Sequence, residues 1–280
     1  MARYALATVR CVKASTVRIA SPDGLRLAGT VVAIEGAQRA AVLVHGGGVT
    51  REEGGFFARL ADGLVAAGVG SLRFDLRGHG ESEGRQEDLT IAGILGDIRA
   101  ALSAVRAAGA ERIALLGTSF SGGICGYYAA HHPAELSSLV MLNPLLNYKK
   151  RFIDDKPDWH DDQISEDAGR ELLAQGFLAH SPTFKLGRPL LNEVFYLQPH
   201  TVLGEIQAPT LIVHGTKDTF IPIESSHWAA EQLVVEHRLI EVEGAQHGLA
   251  VHDDPSYAEP QTQQWQASVI ESVSDWITGH

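Results

Sequence analysis

Between residues 112 and 123 the aliphatic run Ile113-Ala114-Leu115-Leu116 ends in Gly117-Thr118-Ser119-Phe120-Ser121-Gly122-Gly123, a cluster of small residues opening a helical pattern. A strand that reverses into a helix over so few residues needs small neighbours on either side of the turn, because the two backbones approach closely there. A strand running straight into a helix is the repeating unit of an α/β sheet, and the rest of the chain follows the same rhythm. Strand-like runs fall at 16–19, 25–34, 41–44, 69–74, 112–116, 138–142, 210–213 and 238–242. Apolar residues recur at the helical spacing over 56–67, 91–107, 124–131, 225–234 and 262–277. An antiparallel pair followed by strand–helix repeats predicts an α/β fold: a mostly parallel eight-stranded sheet with helices on both faces.

The rhythm stops over 144–207, where Phe152, Trp159, Phe177, Phe184, Phe195 and Tyr196 lie among many charges. A structureless loop of that length inside a compact domain is improbable. We therefore expect residues 1–280 to form a single domain with 144–207 as a cap insertion over one end of the sheet. Of its aromatics, Trp159, Phe184 and Phe195 are the expected substrate contacts in a mostly apolar pocket. Asp154, Asp155 and Asp158 near its mouth would disfavour polyanionic substrates.

Composition narrows the partners. The 280 residues are 45% apolar and 20% charged, proportions of an ordinary globular protein. Thirty-four acids against 23 bases leave a net charge of −11, which repels nucleic acid and anionic lipid headgroups. Cys11 and Cys125 allow at most one bridge, and no apolar run approaches the roughly 18 residues of a membrane span. The short apolar run from Tyr4 to Val9, broken by Arg10 and Lys13, falls short of a signal peptide. The expected location is cytoplasmic, with no nucleic acid or membrane partner; the oligomeric state, a homo-oligomer included, stays open.

Ser119 stands at the end of the strand-like run with Gly117 and Ser121 two positions to either side, the arrangement of a nucleophile elbow. Ser121 is the rival, but it would lengthen the strand by two residues and put a serine where a glycine is wanted. A serine hydroxyl needs a histidine base oriented by a carboxylate. His247 follows the last strand-like run and Asp218 the one before it, so Ser119, Asp218 and His247 are the candidate triad. The loop after 138–142 offers Asn143-Pro144 and no carboxylate, and Asp253 and Asp254 lie beyond His247, in the wrong order. His45-Gly46-Gly47-Gly48 follows 41–44 and can turn its backbone inward, making the N–H groups of Gly47 and Phe120 the candidate oxyanion donors. His79, in Asp75-Leu76-Arg77-Gly78-His79-Gly80-Glu81-Ser82, reads as part of a tight turn held by Asp75 and Arg77. No nucleotide-binding loop is present, and the consecutive residues Asp158 to Asp162 lack the spacing of metal ligands.

The ordered set of glycine loop, Asp75-x-Arg-Gly-x-Gly-x-Ser82, the elbow at Ser119, Asp218 and His247 resembles the α/β-hydrolase superfamily from about residue 40 to the C-terminus, and within it the small capped acyl esterases of the feruloyl or cinnamoyl type. The resemblance implies the α/β-hydrolase fold and a serine hydrolase that cleaves a carboxylic ester of a medium-sized apolar or aryl acyl group without metal or organic cofactor. The partner it implies is a small-molecule acyl ester or thioester. Two other classes share the scaffold: a thioesterase or acyltransferase acting on a carrier-bound acyl group, and a catalytically idle binding protein.

Overall fold

The computed structural model describes residues 14–280; the readings made on Tyr4 to Val9 and on Cys11 lie outside the described residues. The antiparallel pair β1 (Ser15–Ala20) and β2 (Arg26–Val32) leads into β3 (Arg39–Val44), α1 (Phe56–Ala66), β4 (Gly70–Phe74) and α2 (Ile91–Ala107). The elbow strand β5 (Arg112–Thr118), α3 (Phe120–His131) and β6 (Ser138–Leu142) follow. After an insertion come β11 (Thr210–Gly215), α6 (Glu224–Gln232), β12 (His237–Val242) and α7 (Pro260–Gly279). These eight strands form one sheet in the order β1-β2-β4-β3-β5-β6-β11-β12, parallel from β4 to β12 and antiparallel where β2 meets β1 and β4.

The strands are covered on both sides, so their residues alternate between two apolar cores rather than between core and water. In β3, Ala41 and Leu43 pack with Phe57, Leu60 and Leu64 of α1 and with Val269, Val273 and Ile277 of α7. Ala40, Val42 and Val44 face the other way, towards Ile94 and Ile98 of α2 and Ile124 and Tyr128 of α3. α2 begins at Thr90, whose hydroxyl accepts the Gly93 N–H at 2.9 Å and so satisfies a first-turn donor. At the sheet level, all eight strand-like runs and all five helical patterns correspond to elements of the structure.

The insertion holds β7 (Trp159–His160) paired with β8 (Gln163–Ile164), α4 (Glu166–Gln175), β9 (Phe177–Ser181) paired with β10 (Phe184–Gly187), and α5 (Arg188–Glu193). It is tied to the core at its far end: Glu193 accepts the Ile91 and Ala92 N–H groups at the start of α2, and Gln86 accepts the Lys185 N–H at 3.0 Å. Among the described residues, no helix is long and apolar enough to cross a membrane.

Candidate active site

The loops that leave the parallel strands at their C-terminal ends converge, as the fold requires of ligand sites in such sheets. Ser119 closes β5 in a conformation that L-residues rarely adopt, φ +50° and ψ −118°. Its neighbours hold it there: its N–H donates to Leu142 O and its carbonyl accepts from Gly122 and Leu145, all within 3.0 Å. A Cβ on Gly117 would stand 2.6 Å from Cys125 Sγ, so glycine at that position is a packing requirement. Ser121 is fully buried and donates to His45 O at 2.5 Å. Its hydroxyl is thus committed to holding the glycine loop against the elbow, and its small size satisfies the close approach in place of a second glycine.

His247 Nε2 lies 2.9 Å from Ser119 Oγ, and His247 Nδ1 lies 2.7 Å from Asp218 Oδ2. The Asp218 side chain is wholly buried and also accepts from the Phe220 and Ile221 N–H groups on Oδ1 and from Asn143 Nδ2 on Oδ2, with His214 Nε2 3.3 Å from Oδ2. Burial alone would raise its pKa, but the hydrogen bonds from His214 and His247 and the charge of His247 outweigh it and hold the carboxyl well below its ordinary range. Such a hydrogen-bonded row can pass a proton from the serine to the imidazole and stabilise the imidazolium that forms.

Beneath the serine, the glycine loop is braced by two histidines in fixed tautomers. His45 Nδ1 donates to Gly46 O at 2.7 Å and Nε2 accepts the Leu76 N–H at 2.9 Å. Burial, with the nearby His79, pushes the His45 pKa down to about 3, so the ring is neutral. His79 Nδ1 donates to Arg77 O and its Nε2 accepts the Gly48 N–H at 3.1 Å. The Gly46 N–H is taken by Glu53 Oε2 at 2.9 Å. Among the described residues the Gly47 N–H between them has no acceptor, and neither does that of Phe120, the first residue of α3. The turn after β4 is held as expected through Asp75, which accepts from Glu81 N and Arg51 N; Arg77 instead reaches away, to Asp97, Asp23 and Ser21.

The family model described as the alpha/beta hydrolase family matches residues 41–258, the span that contains every one of these loops. The chain belongs to the alpha/beta hydrolase family. It is 27% identical over 269 residues to a monoacylglycerol lipase of Mycolicibacterium smegmatis, covering 85% of this chain and 88% of that one. It is 28% identical over 222 residues to a pimeloyl-[acyl-carrier protein] methyl ester esterase of Chromobacterium violaceum, covering 69% of this chain and 81% of that one. In fold it matches Est1E from Butyrivibrio proteoclasticus, a structure holding ferulic acid, with a TM-score of 0.74 at 21% identity, over 92% of this chain and 99% of the other.

In this hydrolase-family chain a cavity of about 220 Å³ opens beside Ser119 and His247. From the core it is lined by Gly47, Phe120, Phe220 and Ile221. From the insertion come Leu145, Phe152, His180 and Phe184, together with Arg151 and Lys156. Phe184 is a substrate-contact candidate that does reach the cavity; its ring lies over the glycine loop, 2.8 Å from where a Cβ on Gly47 would stand. Trp159 and Phe195 do not reach it. They pack on each other with ring centroids 6.2 Å apart, and Trp159 borders a separate open hollow among Asp154, Asp161 and Asp162. The expected acidic mouth is absent: none of Asp154, Asp155 and Asp158 lines the cavity, Asp154 and Asp155 pair with Lys149 and Lys150, and the charged side chains on the cavity are the basic Arg151 and Lys156.

Two residues of the site were not anticipated. Asn143, noted only for not being a carboxylate, sits at φ +43° and presents its amide to Asp218. Glu53 is buried behind Ser119 at φ +44°, and burial pushes its carboxyl up to about 7 against the pull of the Gly46 N–H and of His247. Neither carries a sequence signal, since each is recognised only by what stands opposite it. Among the described residues no group of His, Cys, Asp or Glu side chains is arranged to hold a metal ion.

Proposed function

We propose that the chain is a serine hydrolase that cleaves a small carboxylic ester through an acyl-enzyme, with Ser119 as nucleophile, His247 as general base and acid, and Asp218 as the group that orients and stabilises the imidazole. The observation that carries this reading is the unbroken row from Ser119 Oγ through His247 to Asp218, at 2.9 Å and 2.7 Å. Ser119 Oγ attacks the ester carbonyl as His247 Nε2 takes its proton. The oxyanion forms against the N–H groups of Gly47 and Phe120, which have no other acceptor among the described residues. His247 then protonates the departing alkoxide, releasing the alcohol. A water attacks the acyl-enzyme with the same histidine as base, and the acid leaves as Ser119 recovers its proton.

Relatives named as a lipase and a methyl ester esterase support an ester substrate, and the cavity's modest volume favours a small one. Residues 144–207 act as the cap in this reading: Phe152, His180 and Phe184 cover the reacting serine and select among acyl groups. The test is turnover of a panel of p-nitrophenyl esters and matched thioesters, with and without a fluorophosphonate. Ester hydrolysis that is abolished in step with a single adduct on Ser119 is the expected result. An adduct on another residue, or no turnover of any ester, overturns the reading.

A further inference from the structure

Two cations border the cavity beside Ser119 without a counterion. Arg151 and Lys156 are both half-buried, and neither makes an ion pair or a side-chain hydrogen bond among the described residues. Their neighbours differ: Lys149 is tied to Asp154 and Asp162, Lys150 to Asp155. In a chain of net charge −11, acids to pair with are plentiful. Burial and the charge of Arg151 pull the Lys156 pKa down, with only partial relief from Asp158 and Asp155. Like charges held close together at a half-desolvated wall disfavour the empty site and are relieved by an anion between them.

His180 completes the patch. Its ring stands edge-on to Phe152 and Phe184, with centroids 5.1 Å and 6.0 Å away, and its Nδ1 is buried without a hydrogen-bond partner. Burial, Lys156 and Arg151 push its pKa down to about 4, so it faces the cavity as a neutral ring. A buried polar atom left unpaired is uncommon and points to a partner supplied from outside.

We propose that the substrate carries a terminal oxyanion, which Arg151 and Lys156 bind beside His180 while the ester lies at Ser119. The inference rests on the esterase reading and specifies its substrate: a short ester with one anionic end. Ser119, Arg151 and Lys156 line the same cavity of about 220 Å³, small for a ligand site, so a short molecule suits it. The apolar faces of Phe152 and Phe184 accommodate the connecting chain.

The test compares p-nitrophenyl hydrogen glutarate with neutral p-nitrophenyl pentanoate, and the butyrate ester of 2-hydroxyethyl phosphate with neutral butyl butyrate, so that carboxylate and phosphate are read separately. The anionic member of at least one pair should have a kcat/KM higher by about ten- to hundredfold, the range of a charged hydrogen bond. Arg151→Met and Lys156→Met should each remove that preference, bringing the anionic and neutral members of the pair to the same kcat/KM, whereas Lys150→Met, whose side chain is tied to Asp155, should leave the preference in place. A binding arm stands apart from turnover: calorimetry of Ser119→Ala with monomethyl glutarate against methyl pentanoate, repeated with Lys156→Met added. Tighter binding of the anion, lost with Lys156, upholds the site even if no ester is turned over, which would sink the esterase reading alone. Equal rates and equal binding for anionic and neutral partners overturn the anion site while the esterase reading stands.

Discussion

The side-chain amide of Asn143 donates to Asp218 Oδ2 at 2.8 Å, and it shares that oxygen with His247 Nδ1, 2.7 Å away. Asn143 directly follows β6 and Asp218 follows β11, its neighbour in the sheet, so the contact crosses between two adjacent strand ends. The acid is therefore fixed from the side as well as from its own loop.

Replacing Asn143 by Ala should loosen the Asp218 carboxylate without touching substrate. We expect kcat to fall about tenfold with KM little changed, the pattern of an interaction made in the transition state. Steady-state kinetics on one ester decides it; an equal rise in KM with kcat preserved would mean that Asn143 acts on substrate binding instead.

Ser119→Ala and Ser121→Ala should separate cleanly. The first should reduce kcat to the small residue that oxyanion stabilisation supplies alone. The second leaves the buried His45 carbonyl without its donor, a loss of about 1–3 kcal/mol in stability, but keeps a measurable rate. Urea unfolding beside kinetics checks both, and a dead but fully stable Ser121→Ala protein contradicts the assignment.

Gly47→Ala places a methyl 2.8 Å from the Phe184 ring. The loop or the ring must shift, and activity should drop at least tenfold. Phe184→Leu, which clears the space, should recover part of that loss in the double variant, because residues in contact are non-additive. Strictly multiplicative losses would show that the clash is not what disables Gly47→Ala.

Glu53 and Asp218 give stability opposite pH dependences. The Glu53 carboxyl rises from 4.5 to about 7 on folding, so between those values the native state holds the extra proton. Its contribution is fullest below pH 4.5 and fades as pH climbs through 7, an effect on the order of 3 kcal/mol at 1.4 kcal/mol per unit. Asp218 is shifted down, so its contribution is present above its unfolded value near 3.8 and is lost as pH falls further. Glu53→Gln should flatten the decline between pH 4.5 and 7 in a urea-unfolding series. An unchanged slope would show that Glu53 is ionised throughout.

The sequence by itself determined the sheet, its helices and the order of the loops, because those follow from local pattern. Short continuous aliphatic runs such as 41–44 and helical-period runs such as 91–107 report their own conformation, and Gly117 with Ser121 reports a tight turn. Chain order then brings Ser119, Asp218 and His247 to one edge of the sheet, since successive parallel strands end on the same side. Side-chain direction within the insertion was decided only by the tertiary structure. An aromatic is equally suited to a cavity wall or to packing, so Phe184 turns towards Ser119 while Trp159 and Phe195 turn to each other. The same holds for charge. Asp154 and Asp155 are neutralised by Lys149 and Lys150, leaving Arg151 and Lys156 to set the sign of the cavity wall. Asn143 and Glu53 gain their roles from partners 75 and 7 residues away, and only folding fixes which groups meet across those separations.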